Sequence, residues 1–340
     1  MTALLVVVGV AFAFSMGAHY SGATMGMPVA LRAITTGRAL AVLAVLSLAG
    51  AALASHAVEH TVGHSLVGPG LGVGAEVVVI GVAFGLTSAY NLARIPTSTI
   101  QILVFSLVGV ALALSAPVDW TTIASLAAVW VVAPFVAAGL GFALTKALDQ
   151  VPTVRHETAA ASPVPADPAE HAGTHSVTRA SGALGAGLVL VGAAASFTMG
   201  ANDVSNATGS FVAIHLFSPA VAGALGGAGL ALGALTWGRP LLQRVAFDIV
   251  SVDRPMASAA QLVQAVVVLT AVSLGYFTSM NQALVGAMAG AGIARGRRTV
   301  NAKVVKGILR GWLVGPAAGL AAGFVVGKLV ALGAGAGVLR

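Results

Sequence analysis

The sequence predicts an all-α polytopic membrane protein, built as two inverted-topology repeats of about five spans each, with discontinuous helices. Three observations lead there. Hydrophobic residues make up 58% of the 340 positions and charged residues only 8%, which excludes an ordinary soluble domain. The apolar residues fall into about ten runs, most of them near the roughly 20 residues that a membrane span requires. Polar segments of the first half recur, in the same order, in the second.

The runs lie near residues 2–16, 38–55, 75–92, 96–115, 121–146, 182–199, 219–237, 257–275, 279–294 and 307–334. The 43 glycines suit close helix packing in lipid. The first run has no Lys or Arg before it and so lacks the charged start of a signal peptide, which predicts a retained helix. Cys is absent, so no disulfide framework exists.

The formal net charge of +7 has a topological account that needs no nucleic acid. With the N-terminus outside, Arg32, Arg38, Arg94, Lys146, Arg155, Arg179, Arg239, Arg244, Arg254 and the basic residues from Arg295 to Arg310 all fall on inner loops. Lys328 and Arg340 alone fall elsewhere. The positive-inside rule then sets the orientation and puts five spans on each side of a middle loop. That loop, near 148–180, holds Pro152, Pro163, Pro165 and Pro168 among Ala, His and scattered acids. It cannot bury a core and reads as a disordered cytoplasmic linker. The division is a first transmembrane repeat over 1–147, the linker over 148–180, and a second repeat over 181–340.

The polar stretch Gly200-Ala201-Asn202-Asp203-Val204-Ser205-Asn206-Ala207-Thr208-Gly209-Ser210 organises the second half. An acid and two carboxamides between apolar runs mark a functional site in a membrane. The small residues around them predict a broken helix whose free backbone lines a wet cavity. Gly17-Ala18-His19-Tyr20-Ser21-Gly22-Ala23-Thr24-Met25-Gly26 aligns with Gly200 to Gly209 at an offset of 183. Thr97-Ser98-Thr99-Ile100-Gln101 aligns with Thr278-Ser279-Met280-Asn281-Gln282 at an offset of 181. Five spans is an odd number, so the second copy lies upside down relative to the first. Four polar segments then converge near one midplane site, the architecture of a secondary transporter.

With these motifs the chain resembles the inorganic phosphate transporter family over nearly its whole length outside the linker. Gly200-Ala201-Asn202-Asp203-Val204-Ser205-Asn206-Ala207 fits the family pattern G-x-N-D-x-x-N-[AS]. The segments from Pro96 to Gln101 and from Phe277 to Gln282 are variants of its P-[VT]-S-[ST]-[ST]-H segment. The departures are specific. His19-Tyr20 stands where the first repeat of the family has Asn-Asp, Ala23 replaces the second Asn, and Gln101 and Gln282 replace the usual His. A family Glu has become His60 and Gln243. The resemblance implies that the Ser/Thr segments and nearby helix ends hold phosphate, and that the Asp helps to hold coupling cations.

The chemistry of the residues agrees. A tetrahedral oxyanion needs donors on several sides, and Thr97, Ser98, Thr99, Thr278 and Ser279 supply hydroxyls. Free N–H groups at helix N-termini supply more, at the favourable end of the dipole. Gln101, Asn281, Gln282 and Asn202 complete the candidate substrate set. The four segments contain no Lys or Arg, which suits an anion that must be released. Asp203, their only acid, offers oxygen ligands for sodium together with Asn202, Asn206 and Ser210. A proton on Asp203 is the other coupling ion.

Moving one charge across 100 mV is worth about 2.3 kcal/mol, so importing a dianion into a negative interior costs about 4.6 kcal/mol. A single Asp therefore predicts a low cation count, proton coupling or a monovalent substrate. The expected function is uptake of inorganic phosphate across the cell membrane by alternating access, coupled to sodium or protons. A sulfate permease and a non-transporting membrane paralogue are the alternatives. No nucleophile–base pair is apparent, so no enzyme and no cofactor is expected. Lipid is the surrounding partner, and the Gly-rich helix faces suit a homodimer. His56, His60 and His64 share one helical face beside Glu59 without a second ligand-rich stretch, and read as an interfacial helix. His171 and His175 fall in the linker.

Overall fold

The computed structural model describes residues 1–55, 71–93, 95, 97–152, 154, 182–248, 253–296 and 302–333, and ten helices lie among these described residues. In order they are α1 (Thr2–Ala30), α2 (Thr36–Ala54), α3 (Val73–Leu92), α4 (Thr99–Ala113), α5 (Trp120–Leu148), α6 (Gly182–Ala213), α7 (Pro219–Asp248), α8 (Arg254–Ser273), α9 (Met280–Arg295) and α10 (Ala302–Gly333). Eight of them are long and apolar enough to cross a membrane. The chain is a multi-pass membrane protein. Val7, Leu53, Phe135, Leu313 and Leu332 face outward, while Ser, Thr, Asn and Gln side chains are buried between the helices. That is the pattern expected of a bundle whose solvent is lipid.

The remaining two helices differ from the ten full spans that hydropathy suggests. At 1.5 Å per residue, α4 and α9 are about 22–24 Å long, short of the roughly 30 Å hydrocarbon core. Their N-termini, at Ser98 and Ser279, are buried inside the protein. Each is capped by its own serine: Ser98 Oγ accepts from Gln101 N–H at 3.4 Å, and Ser279 Oγ from Gln282 N–H at 3.3 Å.

A second correction concerns where the helices break. Residues 17–26 and 200–210 do not interrupt a helix; α1 and α6 run through them without a gap. The small residues are tolerated because neighbouring helices press against them, and the hydroxyls bond back to the turn below. Ser205 Oγ donates to the Asn202 carbonyl at 3.3 Å and Thr208 Oγ1 to the Val204 carbonyl at 3.0 Å. The irregular backbone lies instead just before α4 and α9.

The helices of one half pack chiefly on those of the other. α1 lies along α7 and α2 along α6, while α4 lies along α10 and α5 along α9. Each pairing maps onto the other when the halves are exchanged. Four glycines show this at atomic scale. A Cβ at Gly17 would collide with the Leu230 carbonyl, and one at Gly200 with the Ser47 carbonyl. Gly50 meets the Phe197 carbonyl in the same way, and Gly233 the Phe14 carbonyl. All four contacts interconvert at the offset of 183 found in the sequence, so backbone touches backbone at matched places.

At the far ends of α5, α8 and α9, Arg295 reaches Asp149 at 2.7 Å and Asp253 at 3.3 Å. Sequence alone assigns Arg295 to the basic anchor cluster; in the fold it holds three helix ends together. Arg297 and Arg298 lie outside the described residues, as do nearly all of the 148–180 linker, His56, His60, His64, His171 and His175. The side chains of Gln243, Lys303 and Lys306 lie outside them too.

Candidate functional site

The buried ends of α4 and α9 face each other across the centre of the bundle, and α1 and α6 carry the polar residues that hold them. On both sides a side chain accepts from the N–H of the threonine before the helix. Asn202 on α6 clamps the peptide of Thr278: its Nδ2 donates to the Thr278 carbonyl at 2.9 Å, and its Oδ1 accepts from the Thr278 N–H at 3.3 Å. His19 on α1, at the matching position, clamps Thr97. Its Nε2 lies 3.0 Å from the Thr97 carbonyl and 3.3 Å from the Thr97 nitrogen.

The tautomer of His19 follows from its other neighbour. Asn91 Nδ2 donates to the Ser15 carbonyl at 2.8 Å, which turns Asn91 Oδ1 toward the ring. His19 Nδ1 therefore donates to that oxygen, and Nε2 is left to accept from the Thr97 N–H. His19 is not a remnant of a lost motif but a replacement that keeps the clamp.

The two short helices are also tied to each other. Asn281 Nδ2 donates to the Thr97 carbonyl at 2.8 Å and lies 3.3 Å from His19 Nε2. Its amide nitrogen is therefore spent on structure, although spacing alone suggests a substrate contact. Thr97 Oγ1 donates to the Gly311 carbonyl at 3.4 Å, and Trp130 Nε1 donates to the Phe277 carbonyl at 3.1 Å. Together these bonds engage the backbone of Thr97, Phe277 and Thr278 just before the two helices.

Around this frame the structure leaves oxygen atoms unsatisfied. Among the described residues Asp203 is the one fully buried carboxylate, and neither of its oxygens has a hydrogen-bond partner. The same holds for Asn206 Oδ1 and Nδ2, Thr278 Oγ1, Ser210 Oγ, Gln101 Oε1 and Gln282 Oε1. Buried polar atoms without a protein partner are costly, and water, an ion or a ligand can supply the missing bonds. Asn206 follows Asp203 by three residues on one face of α6. Ser210 follows by seven, about 10 Å along the axis, too far to share one ion with Asp203. Thr99, Ser98 and Ser279 are buried at the two helix heads.

Two features escape a reading of the sequence. Tyr20 is fully buried, its hydroxyl 2.8 Å from Thr99 Oγ1, and it faces the Asp203 carboxylate without a formed hydrogen bond. Gln261 and Gln264 are buried on α8. Gln264 Nε2 donates to the Met280 carbonyl at 3.3 Å and Gln261 Nε2 to the Thr24 carbonyl, while both amide oxygens lack partners. Two glutamines three residues apart in an apolar helix were the available signal for the second feature.

Comparison with known proteins gives a consistent picture. A protein of Pyrococcus abyssi that bears the name phosphate permease is 25% identical over 92% of this chain and 93% of its own length. A phosphate permease by name from Pyrococcus horikoshii is 36% identical, but over 34% of this chain and 31% of its own. The chloroplastic inorganic phosphate transporter 2-1 of Arabidopsis thaliana is 37% identical over 35% of this chain and 22% of its own. A solved structure titled as the sodium-dependent phosphate transporter superposes with a TM-score of 0.84, covering 98% of this chain and 100% of that one, at 23% identity. The two chains therefore share a fold. A model of the phosphate transporter family matches residues 16–322, and the chain belongs to that family.

Proposed function

We propose that this protein imports inorganic phosphate across the cell membrane by alternating access, coupled to sodium or protons. One observation carries the reading. Two capped helix N-termini, one from each half, meet beside a fully buried carboxylate whose oxygens have no partner. The N-termini and the hydroxyls of Thr97, Ser98, Thr99, Thr278 and Ser279 suit a tetrahedral oxyanion. Gln101 and Gln282 offer further contacts through their amide groups. Asp203, with Asn206 and Thr278 Oγ1, offers hard oxygen ligands for the coupling ion. Asn202 and Asn281 position the helix heads.

The matched packing of the halves supports two inverted repeats, 1–147 and 181–340, joined by a cytoplasmic linker over 148–180 with the N-terminus outside. Rocking one set of paired helices against the other would then open the site to each side in turn. Gly-rich outer faces suit a homodimer in lipid.

The test is uptake of radiolabelled phosphate into proteoliposomes under imposed sodium and proton gradients, applied separately, for the wild type and Asp203→Asn. Uptake driven by one gradient and lost in the mutant is the expected result, and it names the ion. Uptake of sulfate in place of phosphate, or of neither, would replace this reading.

A further inference from the structure

The two halves offer the site two equivalent positions for an acid and fill them differently. Residues 19–20 and 202–203 are related by one offset, and His19 and Asn202 make matching bonds to Thr97 and Thr278. Residue 20 is therefore presented to the head of α4 as residue 203 is to the head of α9. In the second half the position holds Asp203, an acid with open ligand capacity. In the first half it holds Tyr20, whose hydroxyl is engaged by Thr99. A phenol at this place offers one neutral oxygen where a carboxylate would offer an anionic pair. Its ring also fills, with no exposed surface, the volume beside Thr99.

The neighbourhood does not restore the missing charge. His19 is in its neutral Nδ1–H form by the bonds above. The segments 17–26, 97–101, 200–210 and 278–282 contain no acid besides Asp203.

We propose that Tyr20 sets the coupling stoichiometry of the site: it occupies the first-half cation position, so one cation, held at Asp203, accompanies each anion. This rests on the phosphate-transport reading above. The consequence for the substrate is chemical. One cation balances a monoanion, so the cycle carries no net charge with dihydrogen phosphate. With the dianion it would move one net negative charge against the potential, at about 2.3 kcal/mol per 100 mV. The favoured substrate is thus a singly charged tetrahedral oxyanion that still carries hydroxyl hydrogens.

The experiment measures initial phosphate uptake by proteoliposomes against the concentration of the driving cation, with and without an imposed potassium diffusion potential. The proteins are the wild type, Tyr20→Phe and Tyr20→Asp. The wild type is expected to show a Hill coefficient near one and, where dihydrogen phosphate predominates, uptake indifferent to the potential. Tyr20→Phe, which keeps the ring and adds no acid, is expected to keep that Hill coefficient whatever its rate. Tyr20→Asp is expected to raise it toward two and to make uptake follow the potential. A wild-type coefficient of two, or wild-type uptake driven by the potential, overturns the proposal and leaves phosphate transport standing. Wild-type liposomes that take up no phosphate overturn the transport reading, and this proposal with it. Should Tyr20→Asp fail to fold, the wild-type and Tyr20→Phe results decide.

Discussion

At the scale of single residues, the site depends on what a side chain can hold rather than on its name. Asn202 and His19 differ in charge behaviour, shape and hydrogen count. Yet each accepts a hydrogen bond from the N–H of the threonine before its short helix. The sequence shows a motif with one half altered; the contacts show a function preserved by other atoms. A substitution series tests this. His19→Asn should retain most of the stability of the folded protein in detergent, because an amide oxygen can accept from the same Thr97 N–H. His19→Ala should lose about 1–2 kcal/mol, for two net hydrogen bonds of about 0.6–1 kcal/mol each. Thermal unfolding followed by size exclusion would read the difference, and equal midpoints for the two variants would sink the clamp.

Among the elements, the short helices are the unusual feature, and each has a local reason to start where it does. Ser98 and Ser279 supply their own caps, and both are in the extended conformation. The hydrophobic runs around 96–115 and 279–294 do not announce this, since hydropathy averages over capped and uncapped turns alike. The polar stretch at 200–210 misleads in the opposite sense. Its small and polar residues resemble a break, yet α6 continues because α2 approaches closely enough to require them. A cap at the other kind of helix start shows how charge enters. Asp119 accepts from the Thr121 and Thr122 N–H groups at 2.9 and 3.1 Å and from the Thr122 hydroxyl at 2.8 Å. The bonds to Thr122, chiefly, pull its carboxyl below the ordinary value. A lowered folded-state pKa gives stability that is present above the unfolded value and lost as pH falls through the folded one. Asp119→Ala should therefore lower the melting midpoint at neutral pH, as the loss of other N-caps does, and lower it less in acid. Melting midpoints of the two proteins that stay equally far apart at every pH would contradict this.

The whole molecule is organised by contact between its halves. Gly17, Gly50, Gly200 and Gly233 let α1 lie on α7 and α2 on α6, with backbone against carbonyl oxygen. No Cβ fits there without the helices moving apart, and the polar segments on α1 and α6 would move with them. Gly200→Val should cost at least the 1–3 kcal/mol of an overpacked core, whereas Gly37→Ala, which has open space around it, should be silent. Fluorescence-detected size exclusion would compare the two. A monodisperse Gly200→Val protein with a wild-type midpoint would show that the close approach is dispensable.

Membrane class, helical segments, family and the recurrence of polar segments between halves are all legible in the sequence. These properties are carried by composition and spacing, which need no partner to be read. Packing decides which helices are short, that Asn281 is bound to backbone, and that His19 stands in place of an amide. The same is true of Tyr20 standing opposite Asp203, and of Arg295 being held between Asp149 and Asp253. Those facts depend on groups well separated in the chain, from Arg295 and Asp253 to His19 and Asn281. A polar side chain in lipid takes whatever partner the packing brings to it, and local sequence does not record which partner that is.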